Sequence, residues 1–572
     1  MTRICGIASD FAASALHGFC LAHHEIVRPV RGGVVRARPG NEGKVAVVVG
    51  GGSGHYPAFV GYVGAGFADA SVAGDIFASP STQAIINVAR EADRGGGVIL
   101  GYGNYAGDVL NFGIAAQRLR DEGIEARVLA TTDDVASADD ANRATRRGIA
   151  GDLTIFKIAG AAAEAGLALD EVDRVGHHAN DWTRTFGVAF DGCTIPGEKE
   201  KLFTVPKGRM ALGLGLHGEP GIDEKDIPVA GELASLLFER VINEAPKNAP
   251  RRVAVLLNGL GSTKQEELFV LWEALGRLFA KAGLAVVAPL VGEYATSLEM
   301  AGCSLTVTWL DDELEGYWRA AVHTPALSHE VIEGDALLEL PRVEEPEIVV
   351  TPAPTAEGRE GGACVAAALT KLAEALGEAE VELGRIDAQA GDGDHGQGMA
   401  RGSAAAEHAA RRATGKGAGS RSVLAAAADA WADRAGGTSG ALWGEGLRAF
   451  SDALDDSERP TAAQLADGAA RAMHRIVELG KAKPGDKTLI DALAPFVETF
   501  KARLDAGEAG SAAWLAGATA AHEAAEATRD LVPRLGRAKT HKERSKGHPD
   551  AGALSLALAT RVVGEHLASV EH

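Results

Sequence analysis

Between residues 387 and 396 the chain reads Asp387-Ala-Gln-Ala-Gly-Asp392-Gly-Asp394-His395-Gly396, three carboxylates and a histidine interleaved with glycine. Acids this close repel one another unless a cation lies among them, and glycine lets the backbone turn tightly enough to aim them at one point. An oxygen-only ligand set favours a hard ion, and Mg²⁺ commonly arrives with phosphate attached. The spacing points to nucleotide chemistry. Taken alone it also suits a calcium-type structural loop, but position 398 is Gly398 where an EF-hand closes with Glu, and no acid follows Asp394 until Glu407.

Three further glycine-marked segments belong with it: Gly436-Gly-Thr438-Ser439-Gly440, Gly480-Lys-Ala-Lys-Pro-Gly-Asp-Lys-Thr488-Leu489, and Gly536-Arg537 followed by Gly547-His-Pro-Asp550-Ala551-Gly552. Such loops offer backbone N–H groups and hydroxyls to phosphate oxygens, often at a helix N-terminus. Each alone reads as a turn, a helix cap or a surface cation. Earlier in the chain, Val45-Ala-Val-Val-Val49 runs into Gly50-Gly-Gly52-Ser53-Gly54-His55-Tyr56-Pro57, the place where open α/β sheets put ligands. No Lys-Ser/Thr pair follows, so this is not a Walker loop. Asn104-Tyr-Ala-Gly-Asp108 and Gly213-Leu-Gly-Leu-His217-Gly-Glu-Pro-Gly221 add an acid and a second histidine. Either histidine by itself is as well read as a hydrogen-bonded structural residue as a catalyst.

The elements that must position these residues differ between the two halves. Short apolar runs such as Val98–Leu100, Arg127–Ala130, Val253–Leu257, Ala285–Ala288 and Ser304–Thr308 alternate with helical stretches. They predict strands of an α/β fold in two lobes, about 1–190 and 191–332. Residues 333–360 mix proline with acid, as in Glu344-Glu-Pro-Glu347, and read as a semi-stiff linker. From 361 to 572 alanine dominates. Val365, Leu369, Leu372 and Leu376 follow a helical period, which predicts an all-α domain. At 572 residues two to four domains are expected, and 46% hydrophobic with 24% charged residues is a globular balance. A net charge of −21 argues against a nucleic-acid partner. Five scattered cysteines without a CxxC pair suit a reducing cytosol, and no apolar run reaches membrane-spanning length, so the chain reads as cytoplasmic.

The combination of motifs resembles the single-chain, ATP-dependent dihydroxyacetone kinases, over nearly the whole chain. The resemblance implies a ketose-binding α/β half and a C-terminal barrel of antiparallel helices that binds ATP. In that family the three acids, here Asp387, Asp392 and Asp394, hold Mg²⁺ against the ATP phosphates. It further implies nucleotide contacts from His395, Gly396, Gln397, Gly398, Thr438, Ser439, Gly480, Thr488, Leu489, Arg537, Asp550, Ala551 and Gly552. At the ketose end it gives His217 a covalent role, adding to the substrate carbonyl as a hemiaminal. Asp108 becomes the base, His55 its acid–base partner, and Gly52, Ser53 and Gly54 substrate contacts. It also suggests a homodimer in which one subunit's helical domain caps the other's substrate domain.

Two positions depart from the family pattern. Gly103 stands where the family usually has Lys, and Tyr56 where it usually has Glu. The loss of the lysine leaves room, so the expected substrate is dihydroxyacetone or a four-carbon ketose such as erythrulose. Competing readings are a kinase rephosphorylated by a phosphocarrier protein, cyclising cleavage of FAD at the same Mg-nucleotide end, and a ketose sensor without turnover.

Overall fold

The computed structural model describes residues 4–330, 350–389, 391–535 and 545–570. The chain divides into two compact units, residues 1–337 and 338–572. The first is built on two sheets. In one, β1 (Val27–Val30), β2 (Gly33–Arg36), β3 (Ala46–Ser53), β4 (Ala70–Ile76), β5 (Val98–Gly103) and β6 (Ala126–Thr131) lie in the order β1-β2-β4-β3-β5-β6. β4, β3, β5 and β6 are parallel. The period of two in β3 sends Ala46 and Val48 to one face with Phe112 and Ile85, and Val47 and Val49 to the other with Leu153 and Phe156. Both faces are covered, which is why the run carries no polar alternation.

The second sheet contains β7 (Thr183–Asp191), β8 (Arg209–Leu212), β9 (Asp223–Asp226), β10 (Arg252–Gly259), β11 (Ala285–Val286), β12 (Leu290–Gly292) and β13 (Ala301–Trp309). Its order is β11-β10-β13-β7-β8-β9, and β12 pairs with β10. Apart from β11 and β12 its pairings are antiparallel. The apolar runs around Val253 and Leu305 therefore form strands as expected, in a different kind of sheet from β3 and β5. Helix Gly151–Glu164, buried over almost its whole length, packs against strands of both sheets. The two lobes thus share a core helix within one unit.

The second unit is helical throughout its described residues. Helix Ala356–Glu378 presents Leu369, Leu372 and Leu376 to a core containing Trp431, Trp443, Phe496 and Trp514. Successive helices pack on one another, and the last, Ala551–Val570, packs on both Gly510–Ala527 and Ala356–Glu378. Alanine and glycine at the contacts let large rings fill the interior, as where Trp431 stacks on Trp443 at 5.1 Å. An apolar cavity of about 610 Å³ remains inside, sharing Ile476 and Leu489 with the polar cleft described next. Among the described residues no helix is long and apolar enough to cross a membrane.

Candidate active site

In the first unit the C-terminal ends of β3 and β5 meet the loop between β8 and β9 around a cavity of about 300 Å³. Gly52, His55, Gly103, Asp108 and His217 line it together, although His55 and His217 lie 162 residues apart. Ser53 and Gly54 are not on its wall; the Ser53 hydroxyl donates to Gly74 O at 2.6 Å. Tyr56 is half-exposed and meets Phe19 edge-on, so its ring plays no part in the cavity.

Hydrogen bonding fixes the protons of the histidine pair. His55 Nδ1–H must donate to Thr296 O, 2.7 Å away, because a carbonyl only accepts. Burial, and then the neighbouring His217, push His55 down to about 3, so its ring is neutral. Its Nε2 lies 3.0 Å from His217 Nε2. Two lone pairs would face each other there unless His217 Nε2 carries a proton. On its other side His217 Nδ1–H donates to Glu219 Oε1 at 2.9 Å, and the His217 backbone N–H donates to Glu219 Oε2 at 3.0 Å. Burial works against the Glu219 charge, but the hydrogen bonds and charge of His217 hold the carboxyl at about 2. His217 therefore links His55 to Glu219 on the cavity wall. Rings of Phe77 and Tyr105 pack edge-on against His217.

Asp108 sits in the first turn of helix Ala106–Asp121, directly after β5. It is buried, its Oδ1 has no hydrogen-bond partner, and Ser79 bonds the carboxyl. Burial raises it above the ordinary aspartate range. A buried carboxylate oxygen with no partner among the described residues is costly unless a ligand supplies the donor.

In the second unit a polar cleft of about 390 Å³ gathers Asp387, Asp392, Asp394, His395, Gly398, Thr438, Ser439, Gly480, Thr488, Leu489, Asp550, Ala551 and Gly552. Oxygens of Asp387, Asp392 and Asp394 lie within 4.8 Å of one another, an all-oxygen set that fits a hard divalent cation. Asp387 ends one helix and Asp394 precedes the next, His395–Gly415. Between them Gly393 adopts φ +82° and donates its N–H to Asp387 Oδ2 at 2.8 Å, while a Cβ on Gly391 would stand 2.6 Å from Asp387 Oδ1. The interleaved glycines are thus a steric requirement of the cluster. His395 Nε2–H donates to Ser555 Oγ at 3.0 Å, which fixes its ring. Gly436 and Gly437, both at positive φ, open helix Gly437–Ser451, so backbone N–H groups face the cleft beside Thr438 and Ser439.

Two expected contacts lie off this wall. Gly396 packs against Glu380 O, where a Cβ would fall within 1.9 Å, and Gln397 is exposed. Arg537 falls outside the described residues. Sequence reasoning missed several groups. Lys487 lines the cleft with its ammonium donating to Leu531 O and Ser545 O, and Asp491 accepts the Thr488 N–H at 2.8 Å and shapes that loop. Asp550, one of the expected contacts, is pushed by burial up to about 7 and accepts the Ala553 N–H at the start of the last helix. At the ketose end Glu219, Tyr105 and Asp152 were missed. Glu219 had a local signal in the His217-Gly-Glu219 spacing; Asp152 had none.

Comparisons with known proteins agree with this anatomy. A Dak1 domain matches residues 17–326 and a DAK2 domain residues 389–565. The chain is 52% identical over 574 residues to the D-erythrulose kinase of Mycolicibacterium smegmatis, covering 99% of this chain and 98% of that one. It is 49% identical to the L-erythrulose kinase of Pectobacterium atrosepticum, over 100% of this chain and 97% of the other. The crystal structure of the C. freundii dihydroxyacetone kinase with AMP-PNP and Mg²⁺ superimposes with a TM-score of 0.56 at 28% identity, over 99% of both chains. By these matches the chain belongs to the single-chain dihydroxyacetone kinase family, in which Dak1 and Dak2 domains are joined in one polypeptide.

Proposed function

We propose that the protein transfers the γ-phosphate of Mg-ATP to a terminal hydroxyl of a short-chain ketose, with erythrulose the favoured acceptor. Kinase chemistry on an alcohol group follows from family membership and from relatives that act on erythrulose at about half identity. The observation that carries the acceptor end is the unpartnered Asp108 Oδ1 in the same cavity as the His55–His217–Glu219 chain.

The steps follow from those groups. His217 Nε2 adds to the C2 carbonyl as its proton passes, through His55, to the carbonyl oxygen. An N–C bond and an O–H bond form while the C=O π bond breaks. Once bonded to carbon the ring is cationic, and Glu219 neutralises it. A bond specific to a carbonyl rejects polyols, which offer only hydroxyls. Asp108 then takes the proton of the terminal hydroxyl as that oxygen attacks phosphorus. Asp387, Asp392 and Asp394 would hold Mg²⁺, which offsets phosphate charge when bound. Backbone N–H groups at Gly437–Ser439 and the Thr438 and Ser439 hydroxyls orient the phosphates. Because acceptor and donor sites lie on separate units, the reading includes a homodimer in which they meet, in the cytoplasm where ATP is supplied.

The test is an ADP-release assay with dihydroxyacetone, both erythrulose enantiomers and glycerol. Asp108→Asn is expected to lose at least about a thousandfold in kcat, and His217→Ala to lose its preference for ketoses over glycerol. Wild-type turnover in Asp108→Asn would remove its role as base.

A further inference from the structure

The ketose cavity carries a third carboxyl that phosphoryl transfer does not use. Asp152 is the second residue of helix Gly151–Glu164, is buried, and lines the cavity with Gly103, Tyr105 and Gly148. Thr131 is the cross-strand partner of Gly103, and its hydroxyl bonds Asp152 Oδ1. Among the described residues no other group hydrogen-bonds this carboxyl. The wall beside it is bare. Gly103 has no side chain, and a Cβ on Gly148 would stand 2.1 Å from Thr131 Oγ1, so none is possible there. The Tyr105 hydroxyl is buried without a partner, and its ring edge lies 3.2 Å from where a Gly103 Cβ would be. The cavity thus adjoins two under-used polar groups, although at Gly103 itself a Cβ would also stand 3.3 Å from Gly148 O.

The protonation of Asp152 follows from its neighbour. Asp133 accepts the N–H groups of Ile149 and Gly151 at 3.0 and 2.8 Å and a bond from Thr185, so the charge of the pair rests on Asp133. Burial, and then the Asp133 charge, raise Asp152 well above the carboxylate range. A neutral carboxyl both donates and accepts, which suits a hydroxyl. It also adds no charge beside Asp108 or an approaching triphosphate.

A three-carbon ketose tethered through C2, with one hydroxyl at Asp108, has a single CH₂OH left; a four-carbon ketose has CHOH and CH₂OH. We propose that Asp152 is a specificity-determining residue: with the Tyr105 hydroxyl it holds the additional hydroxyl of a four-carbon 2-ketose in the space beside Gly103. The proposal rests on the ketose-kinase reading above. A substrate lacking that hydroxyl leaves buried polar groups unpaired, and this is how a site built to hydrogen-bond rejects a shorter analogue.

The test compares kcat/KM of the full-length enzyme for D-erythrulose, L-erythrulose and dihydroxyacetone across Asp152→Ala, Asp152→Asn, Gly103→Ala and Tyr105→Phe. Asp152→Ala and Gly103→Ala should each lower the ratio of the better erythrulose enantiomer to dihydroxyacetone by about tenfold or more. Asp152→Asn, which keeps size, donor and acceptor, should retain most of that ratio. Tyr105→Phe should lower it in the same direction. Should Asp152→Ala fail to fold, Gly103→Ala decides. An unchanged or rising ratio in the folded variants, or a wild-type preference for dihydroxyacetone, overturns the proposal while the kinase reading stands. No ADP release with any of the three ketoses overturns the kinase reading itself.

Discussion

At the residue scale the ketose site is a problem of placing few charges in little space. Three carboxyls and two imidazoles surround a cavity of about 300 Å³, and each has a different fate. Glu219 is held low by His217, burial raises Asp108, and burial with the Asp133 charge raises Asp152 further. The pH dependence of kcat/KM follows from the last. Asp108 acts as base only when ionised, so activity falls as pH drops through its raised pKa. The acid limb is therefore expected above the position an unperturbed aspartate would give, near pH ~3.9. A pH–rate profile checks this, and a limb at or below that position would contradict a buried base. Glu219→Gln removes the charge that balances the imidazolium while preserving the side chain's shape. A loss of roughly a hundredfold in kcat/KM is expected for ketoses, about 2.7 kcal/mol of barrier. Loss of the covalent ketose adduct in mass spectra should accompany it.

At the element scale helix Gly151–Glu164 does most of the positioning. It lies against both sheets of its unit and sets Asp152 into the cavity, and it approaches closely because Gly160 has no side chain: a Cβ there would lie 2.0 Å from Phe67 O. Gly160→Ala must push helix or loop away, and a destabilisation of about 3 kcal/mol is expected from overpacking, read as a lower denaturant midpoint. Strand existence in this unit was legible from apolar runs such as Val45–Val49. Their assembly was not, because β3, parallel to both neighbours, and β10, parallel on one edge and antiparallel on the other, present equally unbroken runs when both faces are covered. The acid cluster was legible because Asp387, Asp392 and Asp394 are close in sequence. Asp152 was silent, since its partners Thr131 and Gly103 come from other strands and only the folded sheet makes them neighbours. Gly396 shows that a motif glycine can serve helix packing, here against Glu380 O.

At the scale of the whole molecule each of the two compact units carries one of the candidate ligand sites. Calorimetry should therefore resolve separate responses. A nucleotide analogue with Mg²⁺ at a hundred times its Kd stabilises the helical unit by about 2.7 kcal/mol, and erythrulose acts on the α/β unit. EDTA should abolish the first shift and leave the second. A single transition moved equally by both ligands would contradict independent units. On the proposed roles, the acids that would hold the metal belong to one unit and the base that would take the hydroxyl proton to the other. On that reading either unit by itself holds only one of the two roles that phosphoryl transfer joins.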